Sequence, residues 1–169
     1  MKIAVTDTSV FIDLFAADLV SLFFQLPFEL HTTIEILNEL FETQQATLLE
    51  FIKPERLNLY ELTEAEWIAG NELNFAKGLS LPDRSALIYA NSLKAIVLSG
   101  DMAIRKKAKQ LGLEYHGIIW VFEQLVYHNL VSKETAKEKL KALFNHNLLY
   151  KNSTQMQKVF MELVARWSN

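Results

Sequence analysis

Four carboxylates stand where this chain could gather them for metal chemistry. Asp7 follows the short apolar run Lys2–Thr6 (KIAVT), and Asp101 follows Ala95–Leu98 (AIVL) after Ser99-Gly100. Asp83 comes directly after Pro82, at the start of a helical pattern, and Glu39 lies within Ile36–Leu40 (ILNEL). Clustered carboxylates repel one another, so a site that collects several normally holds a divalent cation. Oxygen donors alone select Mg²⁺ or Mn²⁺ over zinc or copper. Each acid also has a plainer reading. Asp83 and Asp101 fit as helix N-caps, and Glu35, Glu39 and Glu42 share an ordinary solvated stripe. Asp7 is the strongest candidate, because a charge that ends a buried strand needs a reason.

The elements that must position these acids alternate. Lys2–Thr6, Phe28–His31, Ala95–Leu98 and Leu113–His116 read as strands, the first a short, largely apolar run and the third fully apolar, as buried parallel strands are. Between them the pattern predicts a helix over Val10–Leu26, with Ser9 as N-cap and Pro27 as stop, and another over Ile34–Gln44. Thr63–Glu66 has capping-box spacing and opens a helix to about Gly78. After Pro82, residues Ala86, Leu87, Ala90 and Leu93 share one helical face; a basic helix then precedes Gly112, and Gly117 opens Ile118–Leu130. Beyond Ser132 only helix is expected, with a stripe at Met156, Val159, Phe160, Leu163, Val164 and Trp167 that reads as core or homodimer interface. Alternation of this kind predicts an α/β layer fold with a mainly parallel sheet. In such a sheet ligands bind beyond the carboxyl ends of the strands, where Asp7 and Asp101 converge if their strands are neighbours.

With 169 residues, half of them hydrophobic, the chain supports one sizeable core. The absence of cysteine excludes disulfide scaffolds, thiolate metal sites and cysteine nucleophiles. No apolar run reaches the roughly 18 residues a membrane span needs, and the start is too short for a secretory signal, so a cytoplasmic protein is expected. Charge is unevenly shared: residues 1–83 carry a net −10 and residues 84–169 a net +7. The pattern fits an acidic focus beside a basic flank, and equally fits solvated helix faces. His31, His116, His128 and His146 lack metal-ligand spacing. Trp67, Trp120 and Trp167 fall in helical patterns and read as core or interface.

The run Val5-Thr6-Asp7-Thr8-Ser9-Val10-Phe11-Ile12-Asp13 resembles the opening motif of PIN-domain nucleases. Thr32-Thr33 with Leu37-Asn38-Glu39-Leu40 is similar to the second motif, and Leu79–Asp83 running into Ser85, Ala86 and Ala90 to the third. Val97–Asp101 with Ile104, Arg105 and Ala108 is similar to the fourth, and Leu111-Gly112-Leu113 with Gly117 to the family's close. The chain departs from the pattern at Ser99, Met102 and Ala103, where many members carry further acids or Asn.

The resemblance implies a three-layer α/β/α nuclease domain over 1–131, with 132–169 as a helical extension. It implies a ribonuclease acting on single-stranded RNA, endonucleolytic by analogy, using one or two Mg²⁺ or Mn²⁺ ions held by Asp7, Glu39, Asp83 and Asp101. Such ions make a water nucleophilic and relieve the charge on phosphate oxygens. Asp7 and Asp101 would be the principal ligands, and Glu39 would hold a water or act as base. Thr8, Ser9, Arg84, Arg105, Lys106, Lys107 and Lys109 are the candidates for substrate contact. The nearest likeness is to toxin-like bacterial members, which implies a small antitoxin partner. A catalytically silent RNA- or protein-binding module is the competing reading. The haloacid-dehalogenase pattern fits poorly, since it wants a second Asp where Ser9 stands.

Overall fold

A computed structural model describes residues 1–168. Its strands are β1 (Lys2–Thr6), β2 (Phe28–Thr33), β3 (Asn58–Tyr60), β4 (Ile96–Leu98) and β5 (Tyr115–His116). Its helices are α1 (Thr8–Ala16), α2 (Val20–Phe23), α3 (Ile34–Glu39), α4 (Glu42–Ile52), α5 (Glu64–Gly70), α6 (Leu81–Leu93), α7 (Met102–Gln110), α8 (Ile118–Tyr127), α9 (Lys133–His146), α10 (Leu148–Lys151) and α11 (Thr154–Ser168). Contacts group the residues into two compact units. The first is Met1–Ile12 with Pro27–Ile118, and the second is Asp13–Leu26 with the chain from Ile119 onward.

The first unit holds the sheet, in the order β3-β2-β1-β4-β5 with every pairing parallel. Ala4, Val5 and Thr6 are all buried, as are Ile96, Val97 and Leu98. Successive strand residues point to opposite faces, so both faces of the sheet are covered. The α/β class and three-layer arrangement expected from the sequence are those observed. Strand order reverses at β1, which makes the β1–β4 junction the topological switch point. There Thr6 pairs with Leu98, and the Asp7 N–H donates to the Leu98 carbonyl at 3.0 Å. The two chains therefore leave the sheet side by side.

Several helices are shorter than their patterns predict. The helix expected over Val10–Leu26 is broken after Ala16, where Asp18 takes a left-handed backbone (φ 52°) before α2. That expected over Ile34–Gln44 is interrupted at Leu40, which is extended (ψ 158°). The Gln44 side chain captures the Phe41 N–H at 3.1 Å and starts α4 afresh. The capping box at Thr63 forms as expected, but α5 stops at Gly70 instead of Gly78, giving way to a 3-10 turn and to Asn74 at φ 52°. Strand β3 was not foreseen; three residues carry too little alternation to register.

Gly70 also marks a close approach. A Cβ there would lie 2.3 Å from Ile88 Cδ1 and 2.7 Å from its Cγ1. Gly70→Ala is expected to destabilise the fold by about 1–3 kcal/mol through overpacking, outweighing the better helix propensity of Ala. An unchanged denaturation midpoint would show that α5 is free to move off α6.

In the second unit the rings of Tyr150 and Phe160 stack on Phe144, with centroids 5.0 and 4.9 Å away. Leu163 and Trp167 of the predicted stripe are buried. Asp13, only 2% exposed, accepts hydrogen bonds from the Tyr150 hydroxyl and from Asn147 Nδ2. Tyr150→Phe, which takes one of these donors from a buried carboxyl, is expected to cost about 1–3 kcal/mol in chemical denaturation. The Lys139 ammonium donates to the Ala17 carbonyl at 2.8 Å, covering the C-terminal end of α1. Among the described residues no helix is long and apolar enough to cross a membrane.

Candidate active site

Asp7 leaves β1 at the switch point and turns back to begin α1. Its Oδ1 accepts from the N–H groups of Ser9 (2.8 Å) and Val10 (3.3 Å), so Asp7 performs the capping the sequence assigned to Ser9. The Ser9 hydroxyl serves otherwise. It donates to Asp7 Oδ1 at 2.7 Å and accepts from the Gly100 N–H at 2.8 Å. On the other carboxylate oxygen, Ser99 Oγ donates to Oδ2 at 2.5 Å and accepts from the Asp101 N–H at 3.0 Å. Two hydroxyls thus bridge Asp7 to successive backbone amides of the loop that delivers Asp101.

Asp7 is 3% exposed, and among the described residues no Lys, Arg or His pairs with it. Burial pushes its carboxyl up from 3.8 to about 6, against the pull of the Ser99 and Ser9 hydroxyls and the Val10 and Ser9 amides.

The other three acids reach the same end of the sheet by their elements. Glu39 closes α3, and its Oε2 accepts from the Thr8 hydroxyl at 2.5 Å, which ties it to the start of α1. Asp101 is the N-cap of α7, with Oδ1 accepting from Ala103 N–H (2.6 Å) and Ile104 N–H (3.1 Å). Asp83 lies in the first turn of α6 and forms a capping box with Ser80 through Oδ2 at 2.8 Å. Two residues on, Ser85 Oγ meets Thr33 Oγ1 at 2.6 Å, joining α6 to the end of β2. Asp83 and Asp101 therefore do cap helices. Glu39 Oε1, Asp83 Oδ1 and Asp101 Oδ2 have no hydrogen bond among the described residues.

The donors available are all hard oxygens, which suit Mg²⁺ or Mn²⁺. Among the described residues, however, no three carboxylates, imidazoles or thiolates stand close enough together to form a ready-made cage. His31 is buried between Tyr89 OH (2.8 Å) and Glu29 (2.9 Å), and His116 meets Glu114 at 2.9 Å.

The basic candidates differ in what holds them. The Arg84 guanidinium lies 6.0 Å from the Phe75 ring centroid and its Nε donates to the Leu79 carbonyl at 3.0 Å. Lys107 reaches the same ring at 5.7 Å and donates to the Asn74 carbonyl at 3.3 Å. Phe75 so links a cation of α6 with one of α7. Lys106 and Lys109 are exposed, and Arg105 packs over Tyr115 with its guanidinium 5.4 Å from the ring centroid. Sequence reasoning missed Ser99, Phe75 and Tyr115. A serine before Gly-Asp looks like loop polarity, and an aromatic in a polar loop looks like stray core; only their partners distinguish them.

A search of curated proteins finds no match. A family model described as a PIN domain matches residues 3–164, a span that takes in the sheet apart from Lys2 of β1, all four acids and the basic helix. On that match the chain belongs to the PIN-domain family, whose members are generally nucleases.

Proposed function

We propose that this protein is a metal-dependent ribonuclease hydrolysing phosphodiester bonds of single-stranded RNA. The observation that carries the reading is Asp7: a carboxylate buried at the switch point, hydrogen-bonded on both oxygens and, among the described residues, without a cationic side chain paired to it. A fold that tolerates such a charge gains when a cation arrives. Asp7 and Asp101 would be the principal holders of Mg²⁺ or Mn²⁺, with Asp83 and Glu39 adding oxygens directly or through water. When bound, the ion supplies Lewis acidity toward phosphate oxygens and a more acidic water.

The chain's own groups do the rest. Ser9 and Ser99 hold the Asp7 carboxylate in one orientation by donating to opposite oxygens. Thr8 orients Glu39 through Oε2, which leaves Oε1 to accept a proton from water. The cations of α6 and α7 attract the phosphate backbone, with a strength that falls as salt rises.

A specific observation favours the second reading, a silent binding module: Asp83 and Asp101 each use one oxygen to cap a helix. Labelled single-stranded RNA incubated with the purified protein, with Mn²⁺, with Mg²⁺ and with EDTA, separates the two. Internal cleavage that needs the ion supports the nuclease; binding without cleavage in any condition supports the module.

A further inference from the structure

Arg105 stands apart from the other cations of α7. It is half-buried while Lys106 and Lys109 are exposed, and its Nε is buried without a hydrogen-bond partner. Among the described residues its guanidinium forms no ion pair. Nor is it loose. The guanidinium lies over the Tyr115 ring at 5.4 Å, and Nη1 is 3.7 Å from the point where a Cβ on Gly117 would stand. That same point is 3.5 Å from the Ser99 carbonyl oxygen. The cation therefore sits beside the residue whose hydroxyl holds Asp7, one helical turn on from Asp101, whose carbonyl accepts the Arg105 N–H at 3.0 Å.

Drawing an arginine partly out of water without an acceptor costs free energy. Here the cost is incurred near the Ser99 backbone, with the Tyr115 ring against the guanidinium. A planar fork of five donors matches two oxygens of one phosphate, which an ammonium cannot do. We propose that Arg105 receives a backbone phosphate of the bound strand on the β5 side of the carboxylates, with Tyr115 and Gly117 shaping its seat. The proposal rests on the RNA-cleaving reading and names the residue that anchors the strand.

The test uses fluorescence anisotropy of a labelled single-stranded oligoribonucleotide, without divalent ions, on the full-length Asp7→Asn protein. Arg105→Met, Arg105→Lys or Lys106→Met is added to that background, and cleavage by the unmutated protein with Mn²⁺ is followed in parallel. Arg105→Met is expected to weaken binding about 10- to 100-fold, as loss of charge-assisted hydrogen bonds does. Its salt slope should fall by roughly 0.7. Arg105→Lys keeps the charge but loses the fork, so it should still weaken binding about tenfold. Lys106→Met removes an exposed cation of the same helix that adds only screened attraction to the strand, so it should weaken binding too, but by less than about threefold. Where Arg105→Met fails to fold, Arg105→Lys carries the comparison. Arg105-dependent binding without cleavage by the unmutated protein would leave the phosphate seat standing and remove the nuclease reading. Cleavage with Arg105→Met binding no worse than Lys106→Met would overturn the seat and leave the nuclease. Neither binding nor cleavage overturns both.

Discussion

Asp7→Asn is expected to abolish cleavage and, in metal-free buffer at pH 7, to raise stability by roughly 1–3 kcal/mol. The sign follows from burial. The folded carboxyl titrates near 6, whereas the unfolded value is about 3.8. A raised folded value means the folded chain binds the proton more tightly. The stability contributed by that proton is complete below pH 3.8 and is lost as pH rises through 6. Fully developed, the loss is about 3 kcal/mol. Asparagine never incurs it, and its amide can donate toward Ser99 Oγ in place of the bond that Ser99 now donates to Oδ2. Denaturation midpoints of both proteins between pH 4 and 8 check the prediction: the gap should close at the acid end and open near neutrality. Mn²⁺ should then stabilise the native protein and leave the variant unmoved. A native protein more stable than the variant at pH 7 without metal would mean that the Asp7 charge is already balanced.

Asp101→Asn and Asp101→Ala are expected to part company, and their difference separates capping from chemistry. Asn caps helices about as well as Asp. The Asn variant should therefore keep the hydrogen bonds to Ala103 and Ile104 and unfold within about 0.5 kcal/mol of the native protein. Ala loses the cap and about 1 kcal/mol. Cleavage should fall in both by more than the roughly 10- to 100-fold typical of groups that only orient metal ligands. Native cleavage rates in the Asn variant would reduce Asp101 to a cap and leave Asp7 as the centre of the site.

The strands that carry the acids were legible because a buried parallel strand is a continuous apolar run, and KIAVT and AIVL have few other uses. Their adjacency was not legible in the runs themselves and stood only as a condition, which the β1–β4 pairing meets. Helix ends were harder. Asp18 and Asn74 adopt left-handed backbones that no apolar period announces, so two predicted helices ran too far. The double duty of Asp83 and Asp101 is invisible in sequence, since a cap and a ligand call for the same residue at the same place. Arg105 and Lys106 likewise read as equal charges on one helix. What separates them is Tyr115, ten residues on, and the missing side chain at Gly117.

The hydroxyl bridges at Asp7 span 92 positions from Ser99 and 91 from Gly100 to Ser9. Such distant pairings form late, after the entropy of closing a long loop has been overcome. During synthesis the Asp7 carboxylate therefore has only its local partners, Ser9 and Val10, until the chain has passed residue 101 and β4 has come in beside β1. A half-made chain carries Asp7, Thr8 and Glu39 on its leading segment without the Ser99 and Gly100 contacts that complete the hydrogen-bonding around Asp7. The proposed nuclease centre is therefore complete only once the β1–β4 pairing has formed.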